Sequence, residues 1–326
     1  MYREALECGL GNLARQRLEQ QSILKNKLSI VWWNTSLDSY KKIKKIKKAA
    51  KRKINLLSET LGSICKLLMS TDLLVLGEYT DKYGLRKYIS ELNLCLANAS
   101  SKMRFDMIDL NYSESYINKK NKECTHEFHN IVIYKTGSLT YLPEEKKSIT
   151  CNKIGKKYYR VYQCVKFLSQ PLCDKALEVF VVHWRMHDTR NRAEENRNKY
   201  DAAAMIRSQM RRDEKMYPYQ IVVGDFNCEM YEEPFAKLES SRSVKFAARN
   251  DGLYNPFWRF LGDDVGSISD KGNQSFLCDE PFFDGILVNR SFIAEEGRVK
   301  LFPSVLNEIN PFKPGNHRPL QLIISK

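Results

Sequence analysis

The chain has 326 residues and carries 53 Lys+Arg against 39 Asp+Glu, a formal net charge of +14. Its 43% hydrophobic and 11% aromatic content is enough for a sizeable core, in one large α/β domain or two small ones. Nine scattered cysteines, odd in number and none spaced as CxxC, suit free thiols in a reducing, cytoplasmic setting better than a disulfide framework.

The charge favours a polyanionic partner: nucleic acid, an acidic membrane surface or a phosphorylated small molecule. No apolar run approaches the roughly 18 residues of a spanning helix. The N-terminus carries Glu4 and Glu7 and lacks the apolar core of a secretory signal.

Residues 1–28 read as a polar helical or mobile extension, with Leu6, Leu10, Leu13 and Leu18 on a loose helical stripe, and residues 29–326 as the folded domain. Ser29 to Trp33 is a buried strand ending at Asn34. A basic block follows, in which Lys41 to Lys53 surround Ile43, Ile46, Ala50, Ile54 and Leu57 at helical spacing. Its positive face is either a nucleic-acid contact or a solvated lysine surface. Asp72 to Leu76 and Asn130 to Tyr134 are further buried strands, and Tyr158 to Phe167 and Glu178 to Val182 read as an adjacent pair. Residues 192–215 are helix-prone, with Ala202, Ala203, Met205, Ile206 and Met210 on the apolar side. Ile221 to Gly224 is a strand that aims Asp225 and Asn227, which share parity, in one direction if the extended form persists. The plainer reading is an Asx-type turn. Phe282 to Val288 and Leu320 to Ile324 complete the strands. Many short strands with inserted helices predict a two-sheet α/β sandwich.

Polar residues cluster at the ends of these strands. Asn34, Glu78, His183, and Asp225 with Asn227 follow apolar runs, Asp284 opens one, and His317 precedes the last. Singly each reads as a cap, a loop residue or a satisfied core group. Jointly they offer oxygen ligands for a hard cation, a general acid or base, and amide donors for a phosphoryl oxygen.

In this order the motifs Trp33-Asn34, Gly77-Glu78, Val182-His183, Gly224-Asp225-Phe226-Asn227, Phe283-Asp284-Gly285-Ile286 and Asn316-His317-Arg318-Pro319 resemble the endonuclease/exonuclease/phosphatase superfamily, which includes deoxyribonuclease I and exonuclease III. The resemblance implies a four-layer, two-sheet sandwich with helices on the outer faces. It also implies a metal-dependent phosphoesterase using Mg²⁺, or Mn²⁺, most simply a nuclease that attacks nucleic acid with an in-line water. By position it makes Asn34, Glu78 and Asn316 metal-site residues, Asp225 the group that orients or deprotonates water, and Asn227 the holder of developing phosphoryl charge. It pairs His317 with Asp284, makes His183 a second histidine, and makes Arg160 a phosphate-binding arginine. Asn316 stands where the family usually has Asp, which removes a charge near the metal. Two alternatives follow: a phosphatase or phosphodiesterase for a lipid head group or small phosphoester, and a weakened nucleic-acid-binding module.

Two further segments have competing readings. Cys124, His126 and His129 are either zinc ligands or part of a polar hairpin. Tyr254 to Trp258 is either an aromatic platform for a base or a packed turn.

Overall fold

A computed structural model of the chain describes residues 27–37, 49–80, 84–117, 123–143, 150–154, 157–186, 192–261, 266–268, 281–293, 300–306 and 317–325. In chain order the strands are β1 (Lys27–Asn34), β2 (Leu73–Gly77), β3 (Phe105–Asp109), β4 (Tyr112–Ile117), β5 (Glu123–Phe128), β6 (Asn130–Lys135), β7 (Leu139–Tyr141) and β8 (Thr150–Ile154). They continue with β9 (Lys157–Ser169), β10 (Lys175–His183), β11 (Tyr219–Asp225), β12 (Ser240–Ser241), β13 (Leu253–Tyr254), β14 (Asp284–Val288), β15 (Lys300–Val305) and β16 (Leu320–Ser325). The long helices are Ala49–Leu68, Leu85–Asn98 and Arg192–Asp213.

A six-stranded sheet runs β15-β16-β1-β2-β6-β3 and an eight-stranded sheet runs β12-β13-β14-β11-β10-β9-β7, with β8 paired to β9. The strands that the sequence marks as continuous apolar runs (β1, β2, β6, β10 and β11) are central, where both faces are covered. Side-chain alternation then sorts each strand. In the six-stranded sheet Ile30, Trp32, Leu73, Val75 and Val132 join a core shared with Val161, Val165, Phe167, Val179 and Val223 of the eight-stranded sheet. Their neighbours Val31, Trp33, Leu74, Leu76, Ile131 and Ile133 instead pack with Leu61, Ile64, Leu68, Leu85, Ile89 and Leu92 of the first two helices. Ala202, Ala203, Ile206 and Met210 bring the third helix onto the eight-stranded sheet, and Gln220 Nε2 donates to the Met210 carbonyl at 2.8 Å. The layers are therefore helix, sheet, sheet, helix, as the sequence predicts.

Register explains the polar strand ends. β1 and β2 are parallel with Asn34 opposite Gly77, and β10 and β11 are parallel with His183 opposite Asp225. β14 runs antiparallel to β11 with Asp284 opposite Asp225. The C-terminal ends of parallel strands and the N-terminal ends of antiparallel ones thus share an edge of each sheet.

Several expectations shift. β1 begins at Lys27, inside the segment read as an extension, and residues 1–26 lie outside those described. The basic-block helix is described from Ala49 onward, so Lys41 to Lys48 also lie outside. Cys124 and His126 fall on β5 of a two-stranded β4–β5 hairpin. Tyr254 to Trp258 is a packed turn: Asn255 and Phe257 are fully buried, and Asn255 Oδ1 accepts from the Phe257 amide at 3.0 Å. Among the described residues, no helix is long and apolar enough to cross a membrane.

Candidate active site

Asp225 ends β11 after Gly224, whose φ is +152°. A Cβ at 224 would collide with the Val182 carbonyl oxygen, so glycine lets β11 lie tightly against β10 at the site. Asp225 Oδ1 accepts from the Asn227 amide at 2.8 Å, forming the Asx turn. Asn227 has φ 49°, so the extended parity expected for the pair does not persist. Its Nδ2 donates to the Trp184 carbonyl at 2.9 Å, tying the turn to the end of β10.

The other Asp225 oxygen is a meeting point. Oδ2 accepts from Asn34 Nδ2 at 3.1 Å and lies 3.9 Å from both His183 Nε2 and His317 Nε2. His317 Nδ1 is 2.8 Å from Asp284 Oδ2, while Asp284 Oδ1 accepts from Trp32 Nε1 at 2.7 Å. The Asp284 end of β14 is fixed from behind by Ser267 Oγ, which accepts from the amides of Phe283 and Asp284 at 3.0 and 3.1 Å.

Glu78 follows β2 with φ 52°, a left-handed conformation uncommon for a non-glycine residue and frequent at functional sites. Its Oε1 lies 3.5 Å from Asn34 Nδ2 and 3.6 Å from His183 Nε2. Asn34 Oδ1 accepts from the Ser36 amide at 3.0 Å. Asn34 therefore turns its amide nitrogen, rather than the oxygen expected for a metal ligand, towards the two carboxylates and gathers them.

The electrostatics set the two histidines apart. Burial holds His183 well below the ordinary histidine range, helped by the positive fields of Arg160 and His317. Burial also acts to lower His317, but the Asp284 carboxylate, with Asp225 and Glu78, outweighs it and raises the pKa to about 9. Burial and the Asp284 charge push Asp225 up to about 7, against His317 and the hydrogen bonds from Asn227 and Asn34. Arg160, on β9, is half-buried; burial lowers its pKa while Tyr159 and Glu78 act to raise it.

Glu78 and Asp225, brought together at Asn34 Nδ2, fit a divalent cation. The ligand atoms of Asp225, Asp284 and His317 lie within 4.8 Å of one another. Asp284, however, already uses one oxygen for Trp32 and the other for His317, and a protonated imidazole offers no lone pair. Glu78 is the more open carboxylate, with its side chain 22% exposed against 2% for Asp225 and 0% for Asp284. A small hard cation that keeps most of its waters would need only Glu78 and one neighbouring oxygen.

Of the residues singled out in the sequence, Asn34, Glu78, His183, Asp225, Asn227, Asp284 and His317 converge, and Arg160 contributes its field. Asn316 lies outside the described residues. Sequence reading missed Trp32, Ser267 and Lys199. Lys199 is fully buried, and its Nζ donates to the Asn227 carbonyl. The available signal was a lysine on the same helical stripe as Ala202, Ala203 and Ile206.

No family model and no curated protein matches the chain. Among solved structures, it is similar to the human Nocturnin catalytic domain with bound sulfate, at 14% identity and TM-score 0.57, over 93% of this chain and 95% of that one. D. rerio TDP2, complexed with a single-strand DNA product, is similar at 12% identity and TM-score 0.53, over 92% and 99% of the two chains. A Bacteroides thetaiotaomicron endonuclease/exonuclease/phosphatase family protein is similar at 11% identity and TM-score 0.51, over 91% and 97%. At these identities the likeness is one of fold alone: the chain has the fold of the endonuclease/exonuclease/phosphatase, or deoxyribonuclease I-like, proteins.

Proposed function

We propose that the protein is a metal-dependent phosphoesterase that hydrolyses phosphodiester bonds of nucleic acid by in-line attack of water. The observation that carries this is the Asp225 carboxylate, braced by the Asn227 amide and by Asn34, and standing 3.9 Å from each of two differently tuned histidines.

Asp225 is the general base. Its pKa near 7 is matched to proton abstraction at neutral pH, where general-base catalysis is most efficient. His317, kept protonated by Asp284, donates to a phosphoryl oxygen and stabilises the charge that develops there. His183 stays neutral and can accept or relay a hydrogen bond beside Glu78. The second amide hydrogen of Asn227 and the Arg160 cation supply further donors to the phosphate. Glu78 would hold a divalent cation, which when bound would neutralise phosphoryl charge and lower the pKa of a coordinated water.

Two features favour a nucleic-acid substrate: the +14 charge, and the single-strand DNA product seen with D. rerio TDP2 on the same fold. The test is cleavage of supercoiled plasmid and of labelled single-stranded RNA with Mg²⁺, with Mn²⁺ and with chelator. Metal-dependent cleavage of either polymer supports the reading and identifies the preferred one. Turnover of small phosphoesters or lipid head groups alone would replace the substrate while keeping the chemistry. Nucleic-acid binding without turnover of any phosphoester would leave a binding module.

A further inference from the structure

Burying an ammonium among apolar side chains is unfavourable unless hydrogen bonds and opposite charge compensate it. Lys199 is such a case: it sits within the Arg192–Asp213 helix with no exposed surface, on the stripe shared with Ala202, Ala203 and Ile206. Its Nζ donates to the Asn227 carbonyl, which places it directly behind the turn that carries Asp225 and Asn227. Burial acts to discharge the lysine, and the fields of Cys228, Glu232, Asp225 and Glu195 act to keep it charged.

The turn needs such a brace. Asn227 is held left-handed at φ 49°. The Asn227 amide is anchored at 2.8 Å to Asp225 and its side chain at 2.9 Å to the Trp184 carbonyl, while the Asn227 carbonyl points back into the interior to Lys199. The three contacts anchor the turn from β11, from β10 and from the helix.

We propose that Lys199 is a positioning residue, clamping the Asn227 carbonyl so that Asp225 and Asn227 are held in register with the substrate phosphate. The clamp itself follows from the geometry; its consequence for turnover rests on the hydrolytic reading above.

The test uses the full chain and the variants Lys199→Met, which removes the donor, and Lys199→Arg, which keeps charge and donors. Hydrogen–deuterium exchange of peptides covering 224–230 is read beside kcat and KM for Mg²⁺-dependent cleavage. In Lys199→Met these amides exchange on the order of ten times faster while those of β1 and β2 keep wild-type rates. In the same variant kcat falls about 10–100-fold with KM nearly constant, because a misplaced catalytic group costs rate rather than affinity. Lys199→Arg recovers most of both. A folded Lys199→Met protein with wild-type exchange at 224–230 and wild-type kcat overturns the proposal. If that variant does not fold, Lys199→Ala, which also lacks a donor, is read instead against the same criteria. An inactive wild-type chain would count against the hydrolytic reading, while the exchange arm would still decide the clamp.

Discussion

At the scale of single residues, the site is governed by how Asp284 is used. Its carboxylate accepts from Trp32 on one oxygen and faces His317 on the other, and the His317 pKa is raised to about 9. Asp284→Asn removes the charge but nearly preserves the shape. NMR titration of His317 in that variant should give a pKa lower by at least about one unit, and the alkaline limb of the pH–rate profile should move down with it. An unmoved His317 pKa would mean that Asp225 and Glu78 suffice. Asp284, His317 and Asp225 were legible because each interrupts or borders an apolar run. Trp32 was not, since an indole in a strand reads as core, and its partner lies 252 residues away. Lys199 and Ser267 were hidden for a related reason: their hydrogen bonds go to backbone groups, which leave no trace in side-chain pattern. For Asn227 the local turn overrode strand parity, because the Asx hydrogen bond to Asp225 reverses the chain first.

At the scale of elements, β10 and β11 form the spine of the eight-stranded sheet and carry the site at one end. Gly224 makes that end possible. Gly224→Ala would force a Cβ onto the Val182 carbonyl at a φ that L side chains rarely adopt, at a cost on the order of 3 kcal/mol; urea unfolding should show a clear fall in stability. Towards the opposite end Glu178 is buried beside Gln220 and Lys166, at 2.8 and 3.5 Å, and burial raises its pKa to about 8. A carboxyl whose folded pKa exceeds its unfolded value binds the extra proton when folded, so its contribution declines as pH rises from about 4.5 to 8. Glu178→Gln should melt higher than the parent at pH 8 and lose much of that advantage at pH 5; equal shifts at both would contradict the assignment. The central strands were readable because burial on both faces gives uninterrupted apolar runs. β4, β5, β12 and β13 were not, being short or polar, and Pro303 in β15 is tolerated only because that strand lies at a sheet edge.

At the scale of the whole molecule, the two sheets bring three carboxylates together at one edge of a strongly basic chain. Above pH 6.5 the shifts of Asp225, His317 and Glu178 act in one direction: each raised folded pKa means stability lost as pH rises, through about 7, 9 and 8 respectively. The lowered pKa of His183 works oppositely, but below 6.5. The metal-free protein should therefore lose melting temperature between pH 6.5 and 8. Millimolar Mg²⁺ should restore more of it at pH 8, above the raised pKa of Asp225 beside Glu78, than at pH 6.5. An Mg²⁺ effect equal at both pH values, or persisting in Glu78→Gln, would remove the cation from this site.

The central claim is that Asp225 abstracts the proton of the attacking water. Its most direct test is single-turnover cleavage of a labelled oligonucleotide in Mg²⁺ by wild type and by Asp225→Ala, with binding of the same oligonucleotide measured in both. The account predicts a loss of about 10²–10⁴ in the cleavage rate with affinity largely retained. Cleavage by Asp225→Ala at the wild-type rate would contradict it.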